Sequence, residues 1–181
     1  MTSTDPLPKP DAPRRLSLRS PLDLLFLLCC FILTADVLGP EFFGSNGKTK
    51  DYPLWYWAGQ QVLHGGNLYP ADLGKIFEFI YPPLPAVLLA LPAWLGKIPL
   101  YVCLSLLNCA AWWMVGQLAN AMTGSGRSAG PWLFALPSFV TITFIFDQFD
   151  LGQPNLMLLA MMLYGFWLLQ HARPWMAGSM F

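Results

Sequence analysis

Long apolar runs separated by short polar stretches dominate this chain. Four of them can form helices that cross the roughly 30 Å hydrocarbon layer of a membrane, which takes about 17 to 25 residues. They cover residues 22–38, 99–121, 131–146 and 154–170. The third is the shortest and contains Pro137, which would kink the helix. The pattern predicts an all-α integral membrane protein with about four transmembrane helices.

A fifth apolar run, residues 84–95, is too short to cross. At 1.5 Å per residue its helix would cover about 18 Å. Residues 53–64 also carry apolar side chains at helical spacing, and the rings of Trp55 and Trp57 suit the headgroup layer of a membrane. Gly65 and Gly66 would then end this helix. We therefore predict two interfacial helices in the first outer loop.

Composition and charge support this topology. The chain has 181 residues, of which 55% are hydrophobic and 11% are charged, whereas soluble domains carry about a quarter charged residues. Four spans place all five arginines on the cytoplasmic side, as the positive-inside rule requires. Residues 1–20 are predicted to form a disordered basic cytoplasmic tail, and residues 21–181 one membrane domain in the plasma (inner) membrane. Net charge is zero and no basic face stands out, which argues against a nucleic-acid partner.

Asp51 lies directly before the first interfacial helix, on the outer side of the membrane. One interpretation is a helix N-cap, since aspartate accepts hydrogen bonds from the first amides and Pro53 suits a first turn. The other is a general base that takes a proton from an acceptor hydroxyl. The two roles are compatible.

A second polar cluster lies between the third and fourth predicted spans, on the same side as Asp51. It consists of Asp147, Asp150, Gln153 and Asn155. Turn formation, with Asn155 capping the fourth helix, would explain most of it. The same acids and amides could instead bind a hydroxyl-rich ligand.

Tyr81 precedes Pro82 and Pro83, which hold the backbone extended before the second interfacial helix. Its side chain is expected either to pack or to line a pocket. The cysteines fall inside predicted spans and the two histidines stand apart, so no metal site is predicted.

Three elements of the sequence resemble the N-terminal part of glycosyltransferase family 87. The first is an Asp-to-Tyr run in the outer loop, followed by Tyr81-Pro-Pro-Leu84 and by Gly152-Gln-x-Asn155. The outer-loop run comprises Asp51, Tyr56, Ala58, Leu63, the Gly65–Gly66 pair, Leu68 and Tyr69.

The resemblance implies a C-type glycosyltransferase-like bundle whose first outer loop holds two surface helices. It also implies transfer of a sugar, commonly mannose, from a polyprenyl-phosphate donor to a glycolipid or polysaccharide acceptor of the cell envelope, with inversion. Asp51 matches the catalytic aspartate of the family, while Tyr56, Tyr81 and the second polar cluster are candidate substrate contacts. No cofactor is expected beyond the donor substrate.

Members of the family are considerably longer than this chain. We therefore expect a truncated form of the fold, whose activity alone is an open question. The competing interpretation is a non-catalytic membrane scaffold or a module that binds the lipid carrier.

Overall fold

A computed structural model describes residues 21–43, 51–70, 79–122 and 138–180. These ranges are helical and contain no β-strand. The helices are α1 (Pro21–Phe43), α2 (Tyr52–Leu63), α3 (Pro83–Leu95), α4 (Lys97–Met122), α5 (Ile142–Leu151), α6 (Asn155–Gln170) and α7 (Pro174–Gly178).

Two helices, α1 and α4, are long and apolar enough to cross a membrane. They have 23 and 26 residues and mean hydropathies of 2.2 and 1.6. Large apolar side chains such as Phe31, Ile32 and Leu106 are exposed on them, an arrangement that suits lipid better than water. Helices α3 and α6 are apolar but shorter. The other two spans and the interfacial position of α2 and α3 stay predictions.

Helix α1 packs beside α4, and the end of α1 meets the start of α4. Inside the pair, the ring of Phe26 contacts Trp112 at 4.8 Å and Trp113 at 5.2 Å between centroids. At the shared end, Lys97 Nζ lies 2.7 Å from Glu41 Oε1. The two long helices are therefore antiparallel, and the loop between them begins and ends on one side.

Helices α2 and α3 form a hairpin across that end of the bundle. Small buried residues line their contact, namely Ala58, Gly59, Ala86, Ala90 and Ala93. They let the two backbones approach closely, and Gln60 Nε2 donates a hydrogen bond of 2.7 Å to the carbonyl oxygen of Ala93. The opposite face of α3 is apolar and exposed, as Leu88, Leu91 and Trp94 show.

Two glycines end helices in the same way. After α2, Gly65 has φ 65°, and the amides of Gly65 and Gly66 donate to the carbonyls of Val62 and Gln61. After α5, Gly152 has φ 69°, and the amides of Gly152 and Gln153 donate to Phe149 and Gln148. Both are Schellman motifs, in which glycine takes the left-handed conformation without a Cβ penalty. The predicted stop at Gly65–Gly66 is confirmed.

The helix at the end of the third predicted span extends further than predicted. Residues 131–137 lie outside the described part of the chain, a turn at Thr141 precedes α5, and α5 continues past Phe146 to Leu151. Asp147 and Asp150 are thus helical, whereas we had predicted them in the link between two spans. The helix continues because Ile145, Gln148 and Phe149 face the interior at helical spacing.

Several predictions concern residues outside the described ranges. The tail over residues 1–20 is one of them. The segment 123–130, whose Arg127 supports the cytoplasmic side, is another. Both stay predictions.

Candidate active site

Asp51 occupies the N-cap position of α2, but its carboxylate makes no capping hydrogen bond. The backbone has φ −100° and ψ −16°, so it is already near the helical region rather than the extended conformation usual for a cap. The carboxylate oxygen Oδ2 instead accepts a hydrogen bond of 3.1 Å from the Tyr81 hydroxyl. The N-cap position was predicted correctly and the capping bond was wrong.

Tyr81 is held on three sides. Its ring lies on Trp55, with centroids 4.5 Å apart and an interplanar angle of 33°, and Phe79 contacts its edge at 5.7 Å. The Tyr69 hydroxyl donates a hydrogen bond of 2.7 Å to the Tyr81 carbonyl. Pro82, with φ −55° and ψ 156°, keeps the following backbone extended. The phenol that reaches Asp51 is therefore fixed by its neighbours.

The start of α2 is docked on the junction between α5 and α6. The amide of Asp51 donates 3.1 Å to the carbonyl oxygen of Leu151. One turn later, Trp55 Nε1 donates 3.0 Å to the carbonyl oxygen of Gly152 in a buried bond. A Cβ atom at Gly152 would lie 2.7 Å from the Tyr52 ring, so glycine is needed for the close approach as well as for its backbone conformation.

This docking brings the second polar cluster towards Asp51. Asp150 is half-buried on the last turn of α5 and lies close enough to Tyr52 to contribute to the pKa of that phenol. Asp147 is exposed. The Gln153 side chain accepts a hydrogen bond of 2.9 Å from Asn155 Nδ2. Acids and amides from α5, from its link to α6 and from the start of α2 thus share one end of the bundle.

One predicted role, the Asn155 cap, does not fit, and another, the Tyr56 substrate contact, is not tested. Asn155 was expected to cap α6, yet it is the first residue of that helix, and the preceding Pro154 makes no side-chain capping bond. Tyr56, a candidate substrate contact, is half-buried and packs against the hydrophobic core. A role for Tyr56 in holding a substrate stays a prediction.

Two tyrosines of the site keep their protons at neutral pH. Burial, with the Asp51 carboxylate adding to it, raises the pKa of Tyr81 to about 12. Burial also raises the pKa of Tyr52 to about 12. Both phenols are therefore neutral, and Tyr81 acts as a donor towards Asp51. In the described part of the chain, no group of three or more His, Cys, Asp or Glu side chains could hold a metal ion.

Sequence reasoning missed the residues that place Asp51. Trp55 was interpreted only as a headgroup anchor, although its exposed fraction is 2%. Gly152 was named only as part of the family element Gly152-Gln-x-Asn155. A local signal existed for Gly152, because glycine after an apolar run indicates a helix end. Nothing in the sequence indicated that Trp55 and Gly152 would meet.

A family model of glycosyltransferase family 87 matches residues 79–181, which is more than half of the chain. The chain belongs to glycosyltransferase family 87. Membership of this family implies a glycosyltransferase, and α1 and α4, which are long and apolar enough to cross a membrane, favour a membrane protein. No curated protein and no solved structure matches this family 87 member.

The matched region holds only one side of the site. It begins at Phe79, so it includes Tyr81 and the α5–α6 junction, while Asp51 and all of α2 precede it. The assignment of this chain to family 87 therefore does not depend on Asp51. The hydrogen bonds that join α2 to Tyr81, Leu151 and Gly152 connect Asp51 physically to the matched region.

Proposed function

We propose that this protein is an inverting membrane glycosyltransferase in which Asp51 is the general base. The donor is a polyprenyl-phosphate sugar, in the first instance mannose, and the acceptor is a hydroxyl of a glycolipid or polysaccharide. Family membership supports sugar transfer. The donor, the sugar and the acceptor come from the resemblance of the outer-loop residues to that family.

The observation that carries the proposal is the state of the Asp51 carboxylate. The carboxylate makes no hydrogen bond to the first amides of α2, and one of its oxygens, Oδ2, is held by the hydrogen bond from Tyr81. Within the described residues, Oδ1 has no hydrogen-bond donor. A half-buried carboxylate with one fixed and one available oxygen is suited to accept a proton from a bound hydroxyl.

The reaction is a single displacement. Asp51 Oδ1 takes the proton of the acceptor hydroxyl as its oxygen attacks the anomeric carbon of the donor sugar. The bond from that carbon to the phosphate oxygen breaks, and its electron pair leaves with the polyprenyl phosphate. Attack opposite the leaving group inverts the anomeric centre. Asp147, Asp150, Gln153 and Asn155 are proposed to bind sugar hydroxyls beside the reacting atoms.

Position relative to the membrane supports this assignment. Tyr52, at the start of α2, contacts Tyr101 of α4 at 4.9 Å between centroids. Lys97, which pairs with Glu41 of α1, lies over the same Tyr101 ring. Asp51 is therefore near the end of two candidate spans. We propose that this end faces outward across the plasma membrane and that the N-terminus is cytoplasmic. A long-chain donor lying in the bilayer would present its phosphate at that depth.

The test uses Asp51→Asn in membranes that contain the expressed chain. Transfer of tritiated mannose from polyprenyl-phosphate-mannose to membrane lipid and polysaccharide is measured. We expect a fall of about 100-fold or more, since loss of a general base costs about 10² to 10⁴ in rate. The matched control is Asp36→Asn, an exposed acid on α1, which should keep full transfer.

Undiminished transfer by Asp51→Asn would contradict the base role. If the unaltered chain binds polyprenyl phosphate and transfers no sugar, the lipid-carrier-binding alternative replaces the enzyme proposal for this chain. Equal loss in both aspartate variants would show a general effect of acid removal and would also contradict the specific role of Asp51.

A further inference from the structure

We propose that Tyr81 is a positioning residue that acts through Asp51 and does not itself contact the sugar. This inference rests on the proposed function, because it assigns Tyr81 a role in the same reaction. It also decides between the two uses of Tyr81 that the sequence left open, packing or lining a pocket.

The first step of the argument is the direction of the hydrogen bond. The Tyr81 hydroxyl donates to Asp51 Oδ2 over 3.1 Å. A carboxylate is an acceptor only, so the proton of this bond belongs to the phenol. A phenol whose hydrogen is already committed to the base is not a free donor for a substrate hydroxyl.

The second step is the immobility of the phenol. The Tyr81 ring packs against Trp55 and Phe79, which also contact each other, and the Tyr81 carbonyl accepts a hydrogen bond from the Tyr69 hydroxyl. Trp55 is in turn bound to Gly152. A catalytic group must be held within about 0.5 Å of its productive position by neighbours that are themselves locked. This arrangement supplies such neighbours to Asp51.

The third step is that the two oxygens of the carboxylate have different roles. A donor on Oδ2 fixes the rotation of the carboxyl group and directs Oδ1 away from Tyr81. A donated hydrogen bond also stabilises the charged form of a carboxylate. Tyr81 therefore holds the Asp51 carboxylate in one orientation, with Oδ1 as the oxygen that faces an acceptor. The raised pKa of Tyr81, about 12, agrees with a phenol that stays protonated over the working range.

The other titratable groups near the pair are few in the described residues. They are Tyr52 on α2, Tyr69 in the loop that follows α2, and Asp150 on α5. The Tyr81→Phe change removes none of these three groups. The effect of losing the hydroxyl can thus be measured against a constant background.

The experiment replaces Tyr81 by Phe, which keeps the ring on Trp55 and removes the donor. Infrared spectroscopy of the full chain in detergent micelles follows carboxyl protonation, and the Asp51 band is the one lost in Asp51→Asn. We expect the titration midpoint of that band to move to higher pH by about one unit. One pH unit corresponds to about 1.4 kcal/mol, and a hydrogen bond such as that from Tyr81 to the carboxylate contributes about that much. The matched control, Tyr164→Phe on α6, should leave the midpoint unchanged.

The same variants are assayed for sugar transfer across pH. In Tyr81→Phe the acidic limb of the profile should move to higher pH in step with the infrared midpoint, and the acceptor KM should stay within twofold. A lost sugar contact would raise that KM and leave both midpoints in place, which would overturn the inference. An unshifted infrared midpoint would also overturn it.

Failure of the inference and failure of the proposed function are separable. If Asp51→Asn keeps transfer, the base role fails, while the infrared titration still decides whether Tyr81 controls Asp51. If Asp51→Asn abolishes transfer and Tyr81→Phe changes neither midpoint, the base role stands and the role of Tyr81 falls.

Discussion

Helices α2 and α5 both end at a glycine with positive φ, Gly65 at 65° and Gly152 at 69°. The hydrogen bonds that close the two ends have the same pattern. Their surroundings differ completely. A Cβ atom at Gly65 would meet nothing within 4 Å, whereas at Gly152 it would lie 2.7 Å from the Tyr52 ring.

The comparison separates two uses of one local motif. At Gly65 the motif only ends a helix, and the chain continues on the surface. At Gly152 it ends a helix and also offers the start of α2 a flat surface and a carbonyl acceptor, which Trp55 uses. The site depends on the second use, because Asp51 is one turn from Trp55.

Alanine at the two glycines should give the largest contrast. Gly65→Ala places a Cβ in the left-handed region, at a cost of about 1 to 2 kcal/mol. Gly152→Ala adds a clash with Tyr52, and overpacking costs a further 1 to 3 kcal/mol or so. Unfolding in detergent micelles, followed by circular dichroism against denaturant, should therefore show a loss for Gly152→Ala about twice that for Gly65→Ala. Equal losses would mean that Tyr52 moves aside freely.

Removal of the Trp55 donor should have the next largest effect. Trp55→Phe keeps an aromatic ring near Tyr81 but leaves the Gly152 carbonyl without its buried donor. An unsatisfied buried acceptor costs about 1 to 3 kcal/mol, measured by the same unfolding assay. Trp175→Phe is the control, since Trp175 is 93% exposed and should change stability by less than about 0.5 kcal/mol. If both variants changed the free energy of unfolding by a similar amount, the hydrogen bond from Trp55 to Gly152 would not be a source of stability.

The smallest effect is expected at Asn155, three residues beyond Gly152. Its side chain is exposed, bonds only Gln153 among the described residues, and caps no helix. Asn155→Ala should therefore alter the unfolding free energy by less than about 0.5 kcal/mol. A loss of about 1 kcal/mol, typical of a lost N-cap, would restore the capping interpretation.

The sequence predicted which helices form better than it predicted where they begin and end. Proline before α3 and glycine after α2 mark boundaries that depend on one residue's own backbone, so these helices were placed correctly. The end of α5 was misplaced because hydropathy changes at Asp147 while the helix continues. Polarity is tolerated on the exposed face of a helix, and only the left-handed Gly152 stops it.

The arrangement of the site was less predictable. Asp51 was singled out by its position before α2, but its bond to Tyr81 spans 30 residues and that of Trp55 to Gly152 spans 97. Contacts between residues so far apart depend on how whole helices pack, which no local pattern encodes. This is why a capping bond was expected where the carboxylate in fact faces Tyr81.

The bond from the Asp51 amide to the Leu151 carbonyl also has a consequence for biosynthesis. During translation, the ribosome makes Asp51 well before it makes Leu151, since the amino-terminal part of a chain emerges first. Until α5 has been synthesised and packed, the start of α2 lacks the hydrogen bonds that Asp51 and Trp55 donate to Leu151 and Gly152. Completion of the candidate site is thus a late, long-range closure step, and loop closure over such a distance is slow compared with helix formation.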